Sequence, residues 1–221
     1  MTIFVLKCIA VLSMLVDHIG AIYFPDIATF RAIGRLAFPI FAWLIGIGAV
    51  HSKNPLAYAR RLLIFACISE IPFFLAFYDG SVAPIDMLHN IFFTLFLGLL
   101  SILVLRTKTL GGPRYAIALI PAYVAMALHT DYGAYGVLLI VFLYLTQSLR
   151  PLPVRLLWQV MGMSALLFWH IQDFNSQWLA LAALPLLALY NGQQGPRYTR
   201  FFYWFYPVHL LILGIGRFFL S

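Results

Sequence analysis

Two ionisable side chains, Lys7 and His18, stand eleven residues apart in the first apolar run of this 221-residue chain. Eleven helical residues make almost three full turns, so both point the same way, about 16 Å apart along the axis. A histidine titrates near pH 6.5 in its ordinary state, which suits His18 to take a proton and return it. The neighbouring Asp17 points about 100° away on a helix and can serve a partner of its own. Glu70 lies mid-run in Ser69-Glu70-Ile71-Pro72, where the proline frees a backbone carbonyl, as in the broken helices that build polar sites in membranes. Ionisable groups inside apolar runs are costly and are functional hypotheses by default.

More polar groups gather near the ends of the runs. Asp86, His89 and Asn90 open the fourth, His129 and Asp131 separate the fifth from the sixth, His170 and Asp173 the seventh from the eighth, and His209 lies inside the last. His89, Asn90, Asp131 and His209 divide evenly between an acceptor site and interhelical polar packing. His51, His129 and His170 read as interfacial surface. Arg35, beside a run, reads as a site residue or a partner of Glu70. Lys7, Arg60 and Arg61 can bind phosphate, although a snorkelling anchor or a charge bias toward one membrane face also explains them. Cys8 and Cys67 fall in apolar runs and read as packed thiols, without disulfide or metal.

The elements that must position these groups follow from composition. Hydrophobic residues are 63% of the chain and charged ones 10%, against roughly 45–50% and 25% in soluble domains. About 20 apolar residues make a transmembrane helix. The runs 3–23, 34–50, 62–78, 87–105, 115–128, 135–145, 156–168, 178–190 and 202–220 predict an all-α polytopic bundle of about nine transmembrane helices, eight to ten by this reading. One domain, 1–221, accounts for the whole chain. Eleven of its fourteen basic residues, Lys7 among them, fall on one side; only Arg31, Arg35 and Arg217 fall on the other, which carries Asp26, Asp79, Asp86, Asp131 and Asp173. The positive-inside rule then places the N-terminus in the cytoplasm. The net charge of +7 is mostly a topology signal, and no nucleic-acid partner is expected.

A purely basic cytoplasmic face with His, Asp and Glu in the outer half implies two half-sites. A membrane acyltransferase needs that asymmetry: acetyl-CoA, made in the cytoplasm and carrying several phosphates, is drawn to a basic mouth, and a base removes the acceptor's proton in the interior.

Several ordered segments carry a resemblance. Lys7 to His18, Gly34-Arg35-Leu36-Ala37-Phe38-Pro39-Ile40-Phe41, Tyr58-Ala59-Arg60-Arg61-Leu62, Ser69-Glu70-Ile71-Pro72-Phe73, Asp131-Tyr132-Gly133 with Gly136, and Tyr206-Pro207-Val208-His209-Leu210 resemble the TraX family over nearly the whole chain. The namesake of that family N-acetylates the pilin of conjugative F-type pili. Transmembrane acyltransferases that O-acetylate surface polysaccharides are similar, with a basic residue, ten intervening positions and a histidine in the first helix, a spacing that Lys7 and His18 fit. Their arginine pair spaced by two residues is replaced here by adjacent Arg60 and Arg61.

The resemblance implies a multi-pass acetyltransferase of the bacterial inner membrane. Acetyl-CoA would dock on Lys7, Arg60 and Arg61, with His18 as base, Asp17 and Glu70 in support and Arg35 as oxyanion donor. The acceptor would be a pilin N-terminal amine, or the hydroxyl of a surface glycan or lipid. A proton-coupled transporter or flippase, and a non-catalytic pilus-assembly factor, are the readings of other classes.

Overall fold

A backbone in lipid has no water to bond, so an apolar run is stable there only if its N–H and C=O groups pair within the segment, which a helix achieves. In the computed structural model, which describes residues 1–77, 89–170 and 177–220, every regular element is helical. The α-helices are α1 (Ile3–Tyr23), α2 (Ala28–Gly34), α3 (Ala37–His51), α4 (Pro55–Phe77), α5 (Ile91–Arg106), α6 (Arg114–Ile117), α7 (Ile120–Ala127), α8 (Gly133–Thr146), α9 (Leu152–His170), α10 (Ala183–Ala188) and α11 (Thr199–Leu220), with 3-10 turns at Lys108–Leu110 and Gln177–Ala182. Asp79, Asp86 and Asp173 lie outside the described residues.

Among the described residues, each of the nine apolar runs falls mainly on one helix or on consecutive helical segments. Four stretches are long and apolar enough to cross a membrane: Ile3–Tyr23, Ala28–His51, Leu152–Trp169 and Thr199–Phe219. Shorter apolar helices cover Ile91–Arg106, Arg114–Ala127, Gly133–Thr146 and Gln177–Ala188. Helix α4, at 23 residues, is long enough but carries Arg60, Arg61 and Glu70. It also runs unbroken through Pro72, so the broken helix anticipated around Glu70 is not formed; α11 continues through Pro207 in the same way.

The core sits where α1, α3, α5 and α8 meet, with Leu6, Ile40, Leu99, Ile102, Leu139 and Ile140 fully buried. Helix α11 packs along α4 and touches α1, while α2 lies against α1. Large apolar side chains such as Phe168, Phe218 and Phe219 face outward, as expected where lipid is the solvent. The backbone N–H groups of Ile3 and Phe4, which no helical turn can satisfy, donate to the carbonyls of Gln193 (3.0 Å) and Gln194 (3.1 Å). That ties the segment before α11 to the start of α1.

Candidate active site

Lys7, Met14 and His18 follow one another on one face of α1, and two cavities open along that face. One, of about 780 Å³, is lined by Asp17, His18, Arg31, Arg35, Asp131 and Tyr206 among others. The second, of about 550 Å³, takes in Lys7, Lys53, Tyr58, Arg61, Arg197 and Tyr203. Charge separates them: among the described residues the second cavity has four Lys or Arg side chains in its wall and no carboxylate, while the first mixes two aspartates with two arginines. Lys7 lies 5.3 Å over the Phe202 ring and Arg61 5.8 Å over that of Tyr58. Arg60, one residue from Arg61 and so about 100° around the helix, is exposed and lines neither cavity. His51 and His129 are exposed, as expected, and each also lines a cavity.

His18 is held from across the bundle. Its Nδ1 lies 2.7 Å from Nε2 of His209, whose own Nδ1 lies 2.7 Å from the carbonyl oxygen of Phe205. A carbonyl can only accept, so neutral His209 carries its proton on Nδ1 and offers Nε2 as an acceptor. Neutral His18 must then donate from Nδ1, which leaves the lone pair on Nε2, on a ring that lines the larger cavity. The ring is fixed further by edge contacts with Phe77 (5.4 Å) and Tyr206 (6.1 Å).

Asp17 accepts from Arg31 at 2.6 Å. Glycine is needed opposite: a Cβ on Gly34 would stand 2.0 Å from Oδ1 of Asp17. That Oδ1 and the Nε of Arg35 are buried without a hydrogen-bond partner, an acceptor and a donor left over in the wall around the larger cavity, where native proteins rarely leave such groups idle. The Arg35 guanidinium also hydrogen-bonds the Tyr132 side chain.

The turn 129–133 presents Asp131 to the same cavity. His129 (φ +50°), Tyr132 (φ +61°) and Gly133 (φ +46°) are left-handed, a conformation that costs the two non-glycine residues energy and must be held from outside. Thr94 on α5 holds it, donating to the Asp131 carbonyl and lying 3.1 Å from the Thr130 hydroxyl. The Tyr132 ring stacks on Phe38 at 4.0 Å. A Cβ on Gly136 would come within 2.5 Å of Thr94, which explains that glycine. Half-buried, the Asp131 carboxyl is pushed up to about 7 by loss of hydration and by the charge of Asp17; Arg31, the Tyr132 backbone and Arg35 pull the other way.

Glu70 is placed elsewhere than anticipated. Its carboxylate accepts from Asn90 Nδ2 at 2.5 Å and the His89 backbone N–H at 3.1 Å, with His89 Nδ1 at 3.7 Å. Asn90 also donates to the Ala66 carbonyl and accepts from the Phe92 N–H, capping α5. Glu70, His89 and Asn90 line neither cavity; they clasp α4 to α5 behind Phe73 and Phe77. Arg35 is engaged with Tyr132 rather than Glu70. Arg31, Lys53, Arg197, Tyr132 and Tyr206, given no site role from the sequence, belong to the cavity walls; Lys53 and Arg197 sit in the same basic loops that read as a topology signal.

The family model described as "TraX protein" matches residues 3–217. The chain is similar to the protein named "Probable fimbrial assembly protein FimC, serogroup H1" of Dichelobacter nodosus, with 31% identity over 239 residues, covering 99% of this chain and 96% of that protein. It is also similar to "Uncharacterized protein RP591" of Rickettsia prowazekii (strain Madrid E), at 26% over 147 residues, 64% of this chain and 54% of that one. No solved structure matches.

Proposed function

Because the chain belongs to the TraX family, we propose that it is a membrane-embedded acetyltransferase of pilus or fimbrial assembly that uses acetyl-CoA to acetylate the N-terminal amine of a pilin-type subunit. The observation that carries this is the chain Phe205 carbonyl, His209, His18, which leaves a basic nitrogen beside a mixed-charge cavity while a purely cationic cavity lies further down α1. The phosphates of acetyl-CoA are held by Lys7, Arg61, Lys53 and Arg197. The N-terminus and the basic cavity face the cytoplasm of the bacterial inner membrane, the larger cavity opens toward the outer side, and the helices cross about nine times.

In the transfer, the acceptor nitrogen attacks the thioester carbonyl carbon. The new C–N bond forms, the C–S bond breaks, the proton leaving nitrogen passes to Nε2 of His18, and His18 returns it to the departing CoA thiolate. An α-amine titrates near 8, so a fraction is already unprotonated at neutral pH. Arg35, whose Nε–H has no partner, stabilises the oxyanion as it develops. Asp17, paired with Arg31 at 2.6 Å, fixes that guanidinium in the wall of the larger cavity.

The test incubates purified protein with labelled acetyl-CoA and a peptide that has a free N-terminal amine. Release of CoA with acetyl on the peptide supports the reading. Ion-gradient-driven uptake in vesicles without release would make the protein a transporter, and neither would leave it an assembly factor without chemistry of its own.

A further inference from the structure

An amine that arrives as its ammonium must lose two protons to become an amide. The transfer above handles one of them, which His18 takes and returns to the CoA thiolate. At neutral pH most of an α-amine that titrates near 8 is protonated. The other proton therefore needs an acceptor too, and it must leave before attack, because an ammonium has no lone pair.

Asp17, His18, Arg31, Arg35 and Tyr206 face the larger cavity from other helices, and His129, Tyr132 and Tyr135 face it from the turn 129–133 and α8. Arginines and tyrosines keep their protons at neutral pH. Asp17 is engaged with Arg31 through one oxygen at 2.6 Å, and its other oxygen is buried against Gly34. His129 is exposed. The Asp131 carboxylate accepts from the Tyr132 backbone N–H, which leaves capacity on its two oxygens for a cationic donor. Charge points to the same residue. Arg31 and Arg35 set against Asp17 alone leave a positive excess that repels an ammonium, and ionised Asp131 offsets it. The left-handed turn that presents Asp131 is held by Thr94. The carboxyl's raised value of about 7, set first by loss of hydration, suits proton exchange near neutrality.

We infer that Asp131 receives the ammonium of the acceptor and takes the first of its two protons, so that the attacking amine is made inside the cavity. One N–H bond breaks to the Asp131 carboxylate and the freed lone pair attacks the thioester. The second proton passes to His18, and the Asp131 carboxyl releases its own to water. This rests on the acyl-transfer reading above. It gives the cavity a further catalytic residue and an acceptor class, basic amines taken up in their charged form.

The experiment measures CoA-thiol release from acetyl-CoA by the full-length protein in detergent. The acceptors are triglycine amide and methoxyamine, each at pH 7 and pH 9, about one unit either side of the ordinary α-amine value. Methoxyamine is unprotonated at both, whereas about one tenth of an α-amine is free at the lower pH and about nine tenths at the higher. Asp131→Asn should lower kcat/KM for triglycine amide about tenfold at the lower pH and less than about twofold at the higher, and should leave methoxyamine within about twofold of wild type. Asp131→Ser should behave the same way and serves where the first variant does not stay monodisperse. His18→Ala, by contrast, should lose both acceptors at both pH values. A variant as active as wild type with triglycine amide at the lower pH, or a folded one whose defect is as large at the higher pH or with methoxyamine, overturns the role of Asp131 while leaving acyl transfer intact. No release by wild type with either acceptor overturns the acyl-transfer reading, and the role of Asp131 with it.

Discussion

Replacing His209 by phenylalanine keeps an aromatic ring among Phe205, Tyr206 and His18 but removes the nitrogen that accepts from His18 Nδ1. Two responses are open to His18. It can keep its proton on Nδ1 with no partner, a loss of about 1–3 kcal/mol for a buried donor, or move the proton to Nε2, which removes the lone pair assigned as base in the proposed transfer. The productive tautomer therefore becomes disfavoured by about 1–3 kcal/mol, which at 1.36 kcal/mol per decade predicts a drop of about 5- to 150-fold in kcat/KM. The loss should appear in kcat, with KM for acetyl-CoA nearly unchanged, because His209 lines neither cavity. His209→Gln can present its amide oxygen where Nε2 stood and should recover part of the rate. The assay is CoA-thiol release from acetyl-CoA with a free-amine peptide. A His209→Phe variant with wild-type kcat, or one whose defect lies only in KM, refutes the tautomer argument.

Arg61→Ala should raise KM for acetyl-CoA about tenfold, the scale of one charge-assisted hydrogen bond, with the difference shrinking as salt is added, whereas Arg60→Ala should change KM by less than about twofold; titrations at two ionic strengths check both. Gly136→Ala places a Cβ within 2.5 Å of Thr94 and should cost about 1–3 kcal/mol of stability, seen as a lower Tm in detergent. Asp131 supplies a pH dependence whose sign is set by its raised value of about 7. Between the ordinary carboxyl range near 4 and about 7 the folded chain keeps a proton that the unfolded chain has released, so stability rises as pH falls through that window and the penalty is fully present above it. Thermal unfolding across that window should show this in wild type and lose most of it in Asp131→Asn.

What the sequence could show was set by distance along the chain. The spacing of Lys7 and His18 predicts a shared helix face, and both line cavities, because eleven residues on one helix leave little freedom. The apolar runs predict helices, which are found, for the same local reason. Partners between helices were not readable: His18 and His209 are 191 residues apart, and nothing in either segment states that α1 meets α11. Arg31 binds Asp17 through the turn from α1 to α2, a bend the residue types do not dictate. Glu70 was legible as an expensive charge but not as a clasp, since its partners His89 and Asn90 lie 19 and 20 residues on, at the entry to the next helix, and its proline suggested a break that the packed helix does not make. The glycines of the resemblance, Gly34 and Gly136, acquire a reason only when the side chains they admit, Asp17 and Thr94, are seen opposite them.

In the proposed transfer His18 is the base. Its most direct test is the intact mass of the pilin subunit from cells carrying the wild-type chain or His18→Ala at matched membrane abundance. One acetyl group is expected on the N-terminus with wild type and none with the variant. Equal acetylation by both, or acetylation by neither, would contradict it.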